Sequence, residues 1–255
     1  MLLRTRPSIL LFGDSITQSG FSGGSSSTAS AGWVSLLSSA YARRADVLNR
    51  GYSGYNTRHA LEILSSVFVS SDTSVERSAI GNDRVLMVTV FFGANDASLP
   101  GEREHCQHVP IDEYEDNLRK IVKMIRATLP VENNDKSQYI PPILLITPPP
   151  IDEKKWDNYC IQNFNELSPR TNHASKAYGD KVKSVAKDLE CHVVDAFSVL
   201  GGDHPEQEAY YGKHLEDGLH LNELGNKLLY DGVMDVICRE LPDLAPTQDG
   251  DGKYA

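Results

Sequence analysis

From Val85 to Phe92 the chain sets eight residues in a row with one polar side chain among them, Thr89. A strand with one wet face alternates apolar and polar residues. A run without alternation belongs to a strand covered on both faces. β-Branched and aromatic residues dominate this run, so it reads as the central strand of a sheet, ending at Gly93-Ala94-Asn95-Asp96. Shorter strand candidates stand at Ile9-Leu10-Leu11-Phe12, Val47-Leu48-Asn49, Ile143-Leu144-Leu145-Ile146 and Cys191-His192-Val193-Val194-Asp195.

Helical spacing fills the gaps. Trp33, Val34, Leu36, Leu37, Ala40 and Tyr41 predict a helix over residues 32–44 that buries one face. A second is expected to run to about residue 69, with Ala60, Leu61, Leu64 and Phe68 inward. A third is expected with Asp112 as its cap, through Tyr114, Leu118, Ile121, Ile125 and Leu129. Two more are expected over residues 172–189 and 222–239. Residues 70–82 and 97–110 read as connections, and Thr147-Pro148-Pro149-Pro150 ends the fourth strand because proline cannot continue a ladder. Strands alternating with helices predict an α/β protein, a parallel sheet with helices on both faces. Nothing divides the chain, so residues 1–255 are expected to form one domain, with a core at about 8–240 and a loose polar tail at 243–255.

The formal net charge of -10 argues against nucleic acid and gives no attraction to anionic membranes. No apolar run reaches a membrane span of about 20 residues. Leu2-Leu3 are followed at once by Arg4, Arg6 and Pro7, so no signal-peptide core is read there. Cys106, Cys160, Cys191 and Cys238 are widely spaced and read as free thiols of a reducing compartment. The expectation is a cytoplasmic protein without stable membrane insertion; a homodimer leaves no mark in the sequence and stays open.

Four polar features follow four strands: Ser15, Gly54, Asn95 and His220. In a parallel sheet all strand C-termini share one edge, where ligands bind. With strand order 2-1-3-4-5, the ends of strands two, one and three step by about 5 Å, and Ser15 falls between Gly54 and Asn95. Ester cleavage calls for such a layout. The Ser15 and Gly54 backbone N–H groups and the Asn95 amide are uncharged donors suited to an oxyanion. Glycine suits the second place because no Cβ keeps its N–H from a ligand. His220 is the candidate base, and Asp217, three residues earlier with Gly218 between, can orient its imidazole. The long segment over residues 196–219 supplies the reach from strand five. Taken singly, each feature has a plainer reading: a turn glycine, a cap, a helix-entry pair. His105-Cys106-Gln107-His108 fits no zinc spacing, so no metal is expected, and no cofactor. The Gly/Ser tract over residues 19–28 lacks the Lys-Ser/Thr ending of a phosphate loop.

Gly13-Asp14-Ser15, Gly54, Gly93-x-Asn95-Asp96 and Asp217-x-x-His220, in this order, resemble the four sequence blocks of the GDSL (SGNH) hydrolases. The resemblance implies a flavodoxin-like three-layer α/β/α sandwich and a metal-free serine ester hydrolase. In it Ser15 is the nucleophile, His220 the base and Asp217 its orienter, with Ser15, Gly54 and Asn95 forming the oxyanion hole. The stretches over residues 49–57 and 146–150 are similar to the isoamyl acetate-hydrolysing esterase subgroup, while the Gly/Ser tract after Gln18 departs from the pattern. The expected activity is hydrolysis of small, acetate-type esters through an acyl-enzyme. Two alternatives stand beside it: a lysophospholipase or acyl-thioesterase acting on longer chains, and a non-catalytic interaction module that keeps the fold.

Overall fold

The computed structural model describes residues 6–24, 30–68, 85–100, 107–129, 131–132, 138–167, 169–204, 210 and 212–246. Five parallel strands form the central sheet: β1 (Ser8–Gly13), β2 (Asp46–Gly51), β3 (Val85–Phe91), β6 (Ile143–Ile146) and β7 (His192–Val194). Their order is β2-β1-β3-β6-β7, which counts as 2-1-3-4-5 along the chain. The expected flavodoxin-like α/β arrangement is thus the one observed. β4 (Val131–Glu132) and β5 (Gln138–Tyr139) make a separate antiparallel pair that the sequence reading did not anticipate.

Side-chain alternation along β1 explains the three layers. Ile9 and Leu11 belong to one core, with Trp33 and Leu37 of helix α2 (Trp33–Ala40), Trp156 of α5 (Glu153–Phe164) and Leu229 and Val233 of α8 (Glu223–Glu240). Leu10 and Phe12 point into the other. There they meet Leu64 of α3 (Thr57–Phe68), Leu118 and Ile121 of α4 (Ile111–Thr128) and Val182 of α6 (Asn172–Asp188). Successive residues of a strand face opposite sides, so a strand between two helix layers is apolar at nearly every position, with Ser8 and Thr89 as buried exceptions. Two short helices, α1 (Ser15–Gln18) and α7 (Ala196–Val199), follow directly on β1 and β7.

Two expectations need correction, and one helix lies where none was expected. Asp112 does not cap α4; Pro110 occupies the N-cap position without a side-chain bond, and Asp112 lies in the first turn as a favourable charge. α5 was not foreseen, because it buries only Trp156 and Cys160 and its other residues carry no apolar stripe. The tail expected to be loose from residue 243 is held in its described part: Tyr41 donates to the Leu244 carbonyl at 3.0 Å and Arg44 to the Ala245 carbonyl at 2.8 Å. The connection over residues 70–82, His105, Cys106 and Tyr211 lie outside the described residues. Among the described residues, no helix is long and apolar enough to cross a membrane.

Candidate active site

β1 delivers Ser15 to the C-terminal edge of the sheet as the first residue of α1. Asp14 caps that turn, its carboxylate accepting from the Ile16 N–H at 3.0 Å. Gly13 ends β1 without a left-handed backbone. Its need is close approach instead: a Cβ there would stand 2.8 Å from the Phe91 carbonyl oxygen. The neighbouring strand ends are stitched to this point. Tyr52 N–H donates to the Gly13 carbonyl at 2.8 Å, and Asp14 N–H to the Phe91 carbonyl at 3.3 Å.

His220 reaches Ser15 from the far end of the chain. Its Nε2 lies 2.9 Å from Ser15 Oγ, and its Nδ1 lies 2.6 Å from Asp217 Oδ2. The Asp217 carboxylate also receives the backbone N–H groups of Leu219 (2.9 Å) and His220 (2.8 Å) through Oδ1. Burial by itself would raise the Asp217 carboxyl. The hydrogen bond and charge of His220 and the two backbone donors outweigh it and hold Asp217 below the usual carboxylate range. An ionised carboxylate only accepts, so Nδ1 carries the proton and Nε2 is left to accept from the Ser15 hydroxyl. Gly218 permits the turn: its φ is +102°, and a Cβ would meet the Trp156 nitrogen at 2.4 Å. Trp156 also stands edge-on to the His220 ring, with centroids 6.2 Å apart.

Gly54 and Asn95 follow β2 and β3 on the same edge. Gly54 has φ +79° and an open surrounding, so it is the left-handed backbone rather than crowding that calls for glycine. Neither the Ser15 nor the Gly54 N–H donates to an acceptor among the described residues. Asn95 is buried, and its Nδ2 donates to the Tyr55 carbonyl at 2.8 Å. A cavity of about 440 Å³ opens onto Ser15 and His220. Ser19, Ser22, Ser53, Tyr159 and Glu216 are among its walls, whereas Gly54 and Asn95 are not. Tyr210 is not among the walls; it stacks on His204 with centroids 4.1 Å apart.

Two carboxyls beneath the site are fully buried. Burial pushes Asp14 up to about 6, against the lowering effects of the Ile16 N–H and the charges of His220 and Arg170. Burial pushes Asp96 up to about 7, although it accepts from the Thr57 N–H and hydroxyl. Arg170, Gln107 and Trp156 surround this region, and none was singled out from the sequence. An arginine between Pro169 and Thr171 looks like a solvated charge, and only the fold buries it.

A nucleophile-type serine, an imidazole and a carboxylate in hydrogen-bonded series, on the C-terminal edge of a 2-1-3-4-5 sheet, define a serine hydrolase of the α/β/α kind. The model of the GDSL-like lipase/acylhydrolase family matches residues 9–233, and the chain belongs to that family of carboxylic ester hydrolases. A GDSL esterase/lipase of Arabidopsis thaliana is 39% identical over 235 residues, covering 91% of this chain and 85% of that protein. The isoamyl acetate-hydrolyzing esterase 1 homolog of Rattus norvegicus is 38% identical, covering 94% of this chain and 86% of that protein. The acetylxylan esterase of Geobacillus stearothermophilus shares the fold, with a TM-score of 0.60 at 22% identity, covering 94% of this chain and 98% of that one.

Proposed function

We propose that the protein hydrolyses small carboxylic esters, acetates foremost, through an acyl-enzyme on Ser15. The observation that carries this reading is the unbroken series Ser15 Oγ–His220 Nε2 (2.9 Å) and His220 Nδ1–Asp217 Oδ2 (2.6 Å). Ser15 Oγ bonds to the ester carbonyl carbon while its proton passes to His220 Nε2. Asp217 stabilises the imidazolium without taking the proton. The carbonyl oxygen becomes an oxyanion held by the Ser15 and Gly54 N–H groups and the Asn95 amide. The C–O bond to the alcohol then breaks, and the alcohol leaves with the proton from His220. Water, deprotonated by the same histidine, releases the acid and frees Ser15. The isoamyl acetate in the names of the mammalian relatives supports a small acyl group.

A second reading, cleavage of longer acyl chains, is favoured by one observation. Tyr159 lines the cavity and meets the ring of Phe164, which is 59% exposed at the end of α5. The test is hydrolysis of p-nitrophenyl esters from acetate to palmitate, wild type beside Ser15→Ala. Rates that peak at short chains and vanish in the variant support the first reading. A Ser15-dependent peak at long chains selects the second. No Ser15-dependent rate on any ester overturns both.

A further inference from the structure

We infer that Arg170 is a positioning residue that orients the Asn95 amide and the Gly54 turn toward the developing oxyanion. The inference rests on the esterase reading above and extends it to a residue outside the motifs.

Arg170 is 5% exposed, in the link between α5 and α6. A buried guanidinium is costly unless it is well paired. Among the described residues no carboxylate bonds to it; its charge is felt by Asp14, Asp96 and Asp217 only at longer range. Nε has no partner among the described residues, and the donors that are paired go to neutral acceptors instead. Nη1 donates to the Ala94 carbonyl, and Nη2 to Asn95 Oδ1 at 3.2 Å and Gln107 Oε1 at 2.7 Å. The guanidinium carbon lies 5.4 Å from the centre of the Trp156 ring, a favourable seat for a cation.

Each of those acceptors leads to an oxyanion donor. Ala94 and Asn95 belong to the turn after β3. Gln107, held by its Oε1, uses its Nε2 to donate to the Gly54 carbonyl at 3.1 Å, and its own carbonyl accepts from Asn56 Nδ2 at 2.9 Å. One cation therefore braces the ends of β2 and β3 together.

The charge also decides which way the Asn95 amide faces. Its oxygen and nitrogen are nearly equal in size, so packing alone does not choose between them. Only the oxygen can face a guanidinium, which forces Nδ2 to the opposite side. There Tyr55 takes one hydrogen at 2.8 Å, and no other described residue takes the second, which is left for substrate. With a neutral residue at position 170 only the Tyr55 carbonyl still selects Nδ2, and a flip that presents a lone pair to the oxyanion becomes less costly. The same logic orders Gln107, whose acceptor faces Arg170 and whose donor faces Gly54.

The test is steady-state hydrolysis of p-nitrophenyl acetate by wild type, Arg170→Met, Arg170→Lys, Asn95→Ala and the double variant Arg170→Met/Asn95→Ala, with Ser15→Ala as the blank. Acylation and deacylation both pass through an oxyanion. Arg170→Met should therefore lower kcat by about 10–100-fold and leave KM within about threefold, short of or equal to the ~10²–10³ of losing a donor outright. Arg170→Lys keeps the charge but not the fork, and should lose less. In the Asn95→Ala background, Arg170→Met should cost clearly less than it does in wild type, since one of the two groups it orients is gone and only the Gln107–Gly54 arm remains. A kcat within threefold of wild type for Arg170→Met, or losses that multiply in the double variant, overturns the inference while leaving the esterase reading intact. Failure of both Arg170 variants to fold would assign the residue to core stability and overturn it too. Absence of Ser15-dependent hydrolysis in wild type would instead bring down the parent reading, and this inference with it.

Discussion

Replacing Asp96 by Asn removes a buried negative charge and keeps the contacts that the side chain makes. Asp96 is fully buried; one oxygen accepts from both the Thr57 N–H and hydroxyl, and the other has no partner among the described residues. An asparagine oxygen can accept the same two bonds. The carboxyl titrates near 7 in the folded protein, raised from 3.8 by burial. Between those two values the unfolded chain has released its proton and the folded one retains it. The unfolded state then binds fewer protons, so the contribution of Asp96 to stability falls as pH rises through this window. At 1.36 kcal/mol per unit the full difference is about 4 kcal/mol, of which on the order of 3 kcal/mol develops between about pH 5 and pH 8. The assay is urea unfolding of wild type and Asp96→Asn at unit pH intervals. The stability of the variant relative to wild type should climb by that amount from about pH 5 to pH 8, then level off. Using the difference cancels the titrating groups that do not feel Asp96, Asp217 among them, whose shift runs the opposite way; Asp14, whose charge helps to raise Asp96, stays coupled to it. A relative stability that stays flat across the range refutes the reasoning: Asp96 would then ionise in the fold as readily as in water.

His220→Ala should lower kcat on p-nitrophenyl acetate by about 10⁴, and Asp217→Ala by less, because members of a triad act as a unit. Gly218→Ala should destabilise the protein by at least about 2 kcal/mol in urea unfolding, since the residue combines φ +102° with a Cβ position 2.4 Å from the Trp156 nitrogen; a neutral substitution would show that this turn relaxes freely.

Sequence and structure agree where burial on two faces leaves no choice of residue. β1, β3 and β6 lie between helix layers, and a polar side chain in them would be stranded, so they stand out as apolar runs. The alternation of strands and helices then puts Ser15, Gly54, Asn95 and His220 on one edge, and their residue types say what chemistry suits that edge. Elsewhere the pattern is weaker for physical reasons. α5 rests on the core by little more than Trp156 and Cys160, so its sequence has almost no period. The left-handed backbone at Gly54 cannot be told from a tight approach when only the letter is known. Arg170 is the extreme case. Its burial depends on Ala94, Asn95 and Gln107 arriving from 63 or more positions away, and nothing beside it in the chain records that.

The bond between Ser15 and His220 joins residues 205 positions apart. During synthesis the serine emerges 205 residues before the imidazole. The Trp33 N–H waits as well, for an oxygen of Asn226 in α8, which it reaches at 3.1 Å. On the proposed mechanism a nascent chain therefore has no base beside Ser15 until His220 has emerged and docked. Turnover would then report this long-range closure, and a chain cut short before His220 would be silent rather than slow.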